Sequence, residues 1–131
     1  MSLYLTIFDG DEDVVGWVFG HYSDFGYFRD TIAAKLRSAD YPTLMTHSDC
    51  DGEWPAAQLP DLRRELQSIA TAFRGLPPEE PKKAFEHTAE YRKDARSLYE
   101  CFHNVDGENI FAALIALCDE GIQRKQPIVF Q

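Results

Sequence analysis

The sequence predicts an α+β fold: a small, mostly antiparallel sheet, made of an N-terminal hairpin plus a C-terminal strand, packed by about four helices. Three observations predict it. Residues 2–9 alternate in side-chain face and lead through a polar turn into a second apolar run, which reads as a hairpin. The C-terminal segment Pro127-Ile128-Val129-Phe130-Gln131 is apolar enough that it must join a sheet. Between them, apolar residues recur at helical spacing. The 131 residues suit one domain, 1–131, large enough to close a core without staples.

In order along the chain, Leu3, Leu5 and Ile7 share one face of the first strand, and Tyr4, Thr6 and Phe8 the other. Both sets are large or β-branched, so the strand reads as buried on both sides and central in its sheet. Gly10-Asp11-Glu12-Asp13 is a turn, and Val14 to Phe19 is the second strand. Ser23 or Asp24 caps a helix striped by Phe25, Phe28, Ile32 and Leu36, ending near Arg37-Ser38. Thr43 to Thr46 reads as a third short strand, and His47 to Gly52 as a polar loop. Leu59, Leu62, Leu66, Ile69, Ala70 and Phe73 mark the clearest helix, with Pro55 or Pro60 in its first turn and Gly75 at its end. Residues 76–83 form a Pro-rich surface loop, and 84–97 look helical. Leu98 to Phe102 is either a strand or a continuation of that helix. Asp106 caps a last helix to about Glu120, with Gly121 as its stop.

Charge narrows the function. There are 13 Lys+Arg against 22 Asp+Glu, a formal net charge of −9. Phosphate recognition needs clustered Lys and Arg, so a nucleic-acid binder is disfavoured. An acidic surface attracts basic partners instead. No apolar run is long enough for a bilayer, and the start lacks a basic segment followed by an apolar one. Cys50, Cys101 and Cys118 are an odd number, read as free thiols in a reducing cytoplasm. The acidity is uneven. Residues 1–60 hold ten Asp and Glu against three Lys and Arg, so the first half carries −7 of the −9.

Specific chemistry is sparse. Asp49, Asp51 and Gly52 match positions 3, 5 and 6 of a calcium loop, but His47 and Gln58 stand at positions 1 and 12, where the strongest ligands belong. An Asp/Gly turn entering a helix accounts for them better. His47-x-x-Cys50 and Cys101-x-His103 carry zinc-ligand types, but the second pair is spaced too tightly for the usual knuckle. On a strand, Cys101 and His103 would share a face, which permits a thiol–imidazole pair without establishing one. Cys118 lies on an apolar helical face and reads as core. Phosphate-binding and hydrolase signatures are missing. The expected sites therefore comprise no catalytic residue, no metal ligand and no cofactor.

The acidic turns carry more weight. Asp9, Asp11, Glu12 and Asp13 place four carboxylates in five residues, joined in the same half-chain by Asp24, Asp49, Asp51 and Glu53. Trp17, Tyr22, Tyr27 and Trp54 are the nearby aromatics. Interface hot spots favour Trp and Tyr, and flanking charge speeds association with a basic partner. The expected binding residues are Asp11, Glu12, Asp13, Trp17, Tyr22, Asp24, Asp49, Asp51, Glu53 and Trp54.

A series of motifs extends this. It comprises Tyr22-Ser23-Asp24-Phe25-Gly26 with Phe28-Arg29-Asp30-Thr31, then Tyr41-Pro42-Thr43-Leu44-Met45, then His47 to Trp54. Leu98-Tyr99-Glu100-Cys101-Phe102 leading into Val105-Asp106-Gly107-Glu108 follows, and Pro127 to Gln131 completes it. In this order they resemble bacterial polymorphic-toxin immunity proteins of the immunity protein 70 family. The resemblance covers nearly the whole chain and is loosest over residues 76–97. It implies a small cytoplasmic antitoxin that binds and neutralises a cognate toxin domain, with no catalytic residue to carry over. A basic nuclease is the toxin type that an acidic inhibitor suits. The rivals are a small metal-dependent hydrolase using His47, Asp49, Asp51 and His103, and a regulatory module with an endogenous protein partner. An exposed edge strand could also support a homodimer.

Overall fold

The structure is a computed structural model that describes residues 2–48, 51–79 and 93–131, without the side chains of Asp13 and Val14. Its strands are β1 (Ser2–Asp9), β2 (Glu12–His21), β3 (Glu53–Trp54) and β4 (Ile128–Phe130). They form one antiparallel sheet in the order β2-β1-β4-β3. The α-helices among the described residues are α1 (Tyr22–Lys35), the single turn α2 (Pro42–Met45), α3 (Leu59–Arg74) and α4 (Ile110–Arg124). The α+β class, the hairpin, the central place of β1 and the C-terminal strand are all as the sequence predicts.

Local chemistry explains where the boundaries shift. Asp9 pairs with Glu12, so the hairpin turn is Gly10-Asp11 alone, and β2 is longer than Val14 to Phe19. Gly10 takes φ 66°, a conformation glycine adopts without steric cost. The first helix begins at Tyr22, not after Ser23 or Asp24. Asp24 sits one turn in, where its carboxylate accepts the His21 N–H at 2.7 Å. Thr43 to Thr46 is not a strand. Pro42 starts a helical turn there, and the buried Glu65 carboxylate accepts the Thr43 and Leu44 N–H groups at 3.2 and 3.0 Å. The third strand lies further on, at Glu53–Trp54.

Leu98–Cys101 is a 3-10 turn, neither of the two expected forms. Asn109, not Asp106, caps α4, its Oδ1 accepting the Ala112 N–H at 3.1 Å. The helix runs past Gly121 to a left-handed Lys125. Gly121 is needed inside it, because a Cβ there would strike Leu59 and the Gln126 carbonyl. Residues 84–92 of the helix expected over 84–97 lie outside the described set, and 93–97 are not helical.

The core forms on one face of the sheet. Leu3, Leu5, Ile7, Phe19 and Phe130 meet Phe25, Phe28 and Ile32 of α1, and Phe111, Leu114 and Cys118 of α4. Aromatic edges dominate the packing: Phe19 lies 5.2 Å from Phe25 and 5.7 Å from Phe28, ring centre to ring centre. Helix α3 adds Leu62, Leu66, Ile69 and Phe73, with Phe73 5.5 Å from Phe111.

Candidate functional site

The two acidic turns sit at diagonally opposite corners of the sheet. The first is the hairpin end, where Asp9, Asp11 and Glu12 are exposed. In the second, Asp51 and Glu53 are exposed. Glu53 pairs with Val129 and Trp54 with Ile128, while Thr6 also pairs with Val129. Asp51 therefore lies towards the Tyr4 end of the sheet on the β3 side, away from the β1–β2 turn. Asp49 lies outside the described residues, as does the Asp13 side chain.

These carboxylates form no ion pair with a described residue. The ion pairs of the described residues engage Asp40, Asp61, Glu79, Glu100, Asp119 and Glu120. Asp9, Asp11, Glu12, Asp51 and Glu53 enter none of them. The contrast is clear beside α2, where two open concavities of about 510 and 540 Å³ lie along Pro42 and Thr43. Apart from Glu53, which borders the second, their carboxylates are already answered. Glu65 holds α2, Asp61 pairs with Arg64 at 2.8 Å, and Asp40 lies 4.0 Å from Arg37.

Three expected binding residues turn inward instead. Trp17 is 7% exposed, and its Nε1 donates to Glu108 at 3.1 Å. Trp54 is fully buried, and its Nε1 donates to the Thr43 carbonyl at 3.0 Å. Asp24 is 2% exposed, fixed by its role at the start of α1. The expectation that these aromatics stand exposed is thus corrected: both indoles face the helices, where their area is worth most. Tyr22 and Tyr27 are half-buried against the same core.

The sheet's other face is different. Tyr4, Phe8, Val18 and Val129 are half-buried, yet none belongs to the residues packed on the core. The pairings Tyr4 with Val18 and Thr6 with Gly16 and Val129 place all of them on one side, opposite Leu3, Leu5 and Ile7. The Tyr4 ring lies over Gly16, where any Cβ would collide with it. Thr6 is fully buried between these neighbours, its hydroxyl donating to Gln131 Oε1 at 3.2 Å. Glu53, opposite Val129, stands on this same side. Alternation along residues 3–8 identifies the face but reads it as buried. That the described helices line one side alone is a tertiary fact with no local signal.

Among the nucleophile and metal candidates, His47 and Cys101 are held by structural contacts. The His47 ring nitrogens lie 2.8 Å from the Ser48 carbonyl oxygen and 2.8 Å from that of Glu53. The ring also stacks on Phe130 at 4.3 Å. His47 thus fastens its loop to β3 and β4. Cys101 is buried in a 3-10 turn, so the strand alternation that would set it beside His103 does not apply. Among the described residues, no three His, Cys, Asp or Glu side chains converge as a metal set. Cys50 lies outside them.

Burial, with Asp119 adding to it and Arg63 opposing it, pushes the Cys118 thiol up to about 12. The folded chain thus holds this proton more tightly than the unfolded one, whose value is 9.0. The associated stability is complete below pH 9 and is lost as pH rises towards 12. At pH 8 neither Cys101 nor Cys118 should react with DTNB in the native protein, and both should react in urea. Rapid native labelling of either, located by mass spectrometry, would contradict this burial.

The arrangement is that of an acidic α+β fold with exposed carboxylates at two corners of its sheet. The family comparison supplies the particular. A family model described as Immunity protein 70 matches residues 7–130, nearly the whole chain, and the chain belongs to that family. No curated protein and no solved structure matches it. No helix among the described residues is long and apolar enough to cross a membrane.

Proposed function

We propose that this chain is a cytoplasmic, non-enzymatic antitoxin. It binds a cognate bacterial toxin domain and blocks its working surface by bulk and by charge. The observation that carries this reading is the pair of exposed acidic turns, Asp11-Glu12 and Asp51 to Glu53, on a member of the immunity protein 70 family. Asp13 and Asp49 belong to the same turns in sequence and extend the proposed contact. The toxin that fits best is a basic one such as a nuclease. Its phosphate-binding cleft must be cationic, and an acidic surface can occupy it. Trp17, Trp54 and Asp24 support the scaffold in this reading, and Tyr22 borders it.

The test identifies the genes flanking this one and co-expresses the chain with the C-terminal domain of any large secreted protein encoded directly upstream. Restored growth and co-purification as a stable complex are the expected results. Growth arrest that persists with the chain abundantly expressed, and no complex, would end the reading.

A further inference from the structure

The acidic corners leave open what lies between them. A protein interface needs a water-excluding centre as well as a charged rim. Charge alone steers encounter and sets the on-rate, while the residence time comes from desolvated apolar contacts.

We propose that the face of the sheet on which no described helix packs, centred on Tyr4 and Phe8 with Val18 and Val129 beside them, is the desolvated centre of the toxin interface, and that the two acidic turns are its rim. The inference rests on the antitoxin reading above and names the surface through which it acts. Four observations carry it. The four side chains lie on one side of the sheet and are not among the described residues packed on the core. Two are aromatic, the residue class in which binding energy concentrates. The buried Thr6 between them, fixed by Gln131, makes the platform firm beneath a partner. Glu53 stands on this same face, and the exposed Asp11 and Glu12 border it at the hairpin end, at the opposite corner of the sheet.

Size agrees with this division of labour. At about 3.3 Å per residue and 4.8 Å between strands, the eight residues of β1 in a four-stranded sheet give a strip roughly 26 Å by 14 Å. That is less than half of the roughly 800 Å² that one partner contributes to a standard interface. The apolar face is therefore too small alone, and the acidic corners must be part of the contact. They also select the occupant. A second copy would bring another chain of net charge −9, with the same carboxylates, against this face. A basic toxin surface brings the complementary charge.

The experiment measures toxin-domain affinity by titration calorimetry for the wild-type chain and for Phe8→Ala, Tyr4→Ala and Val18→Thr. Ile122→Ala, on the exposed side of α4, is the control. Thermal melts establish that each variant is folded. At least one aromatic variant should raise Kd about tenfold or more, while Ile122→Ala stays within about twofold. Folded Phe8→Ala, Tyr4→Ala and Val18→Thr proteins that all bind like wild type would overturn this face as the interface while leaving the antitoxin reading intact. A wild-type dimer that these substitutions dissolve would assign the face to a second copy and overturn the inference. Failure of the wild-type chain itself to bind the toxin would remove both readings, and it is seen without any substitution.

Discussion

Trp54→Ala is expected to destabilise the fold by about 3–5 kcal/mol, the range for deleting a buried aromatic side chain. The indole is fully buried, 4.8 Å from Phe130 and 6.4 Å from Phe25 between ring centres. Its Nε1 also satisfies the Thr43 carbonyl, joining the two-residue β3 to the α2 turn. The substitution opens a cavity and orphans a carbonyl at once. Domains of this size are stable by only about 5–15 kcal/mol, so a single change removes a large share. Urea denaturation would show it as a lower midpoint with an unchanged slope. An exposed anchor residue would behave in the opposite way: stability would move by less than about 0.5 kcal/mol, and toxin binding alone would suffer.

Joint reversal of Asp11, Glu12, Asp51 and Glu53 to Lys should slow capture of the toxin domain by about 10- to 1,000-fold at low ionic strength. Each reversal adds two charges, so the four move the formal net charge from −9 to −1. All four side chains are exposed and none forms an ion pair with a described residue, so thermal stability should stay close to wild type. The association rate should also lose most of its dependence on salt, because long-range steering is what salt screens. Stopped-flow association at low and at physiological ionic strength checks both points. An unchanged rate with an unchanged salt slope would remove the two turns from the interface.

Much of the fold is legible in the sequence because the signals are local. The stripe from Leu59 to Phe73 gives α3 almost residue for residue, since Pro60 and Gly75 punctuate it. The hairpin and the C-terminal strand follow from alternation and apolarity. The failures have a shared cause, which is that a remote group decides the local form. Thr43 to Thr46 has β-branched ends, but Glu65, 22 positions after Thr43, captures the N–H groups of a helical turn. Asp106 looks like a cap, yet Asn104 is fully buried and its Oδ1 takes the Asp106 and Glu108 N–H groups in a turn before the helix. Asn109 is left to cap α4.

The candidate site was half legible for the same kind of reason. Exposure of Asp11, Glu12, Asp51 and Glu53 follows from charge, since unpaired carboxylates are rarely buried. Orientation of an aromatic does not. Trp17 and Tyr4 both lie on strands rich in large side chains, and the side on which the helices pack decides which of them is core. That side is set by α1 and α4, through contacts such as Phe25 with Phe130. Asp24 shows the limit from the other direction: an acidic residue in an acidic half-chain is spent on the first turn of a helix.

The most direct measurement is an amide chemical-shift map of the isotopically labelled chain on adding its toxin domain. Perturbations are expected at Tyr4, Thr6, Phe8, Glu12, Val18, Glu53 and Val129, with the outward sides of α3 and α4 near Arg64, Gln67 and Ala116 unmoved. Perturbations confined to α3 and α4, with β1 and the two acidic turns silent, would contradict the proposed interface.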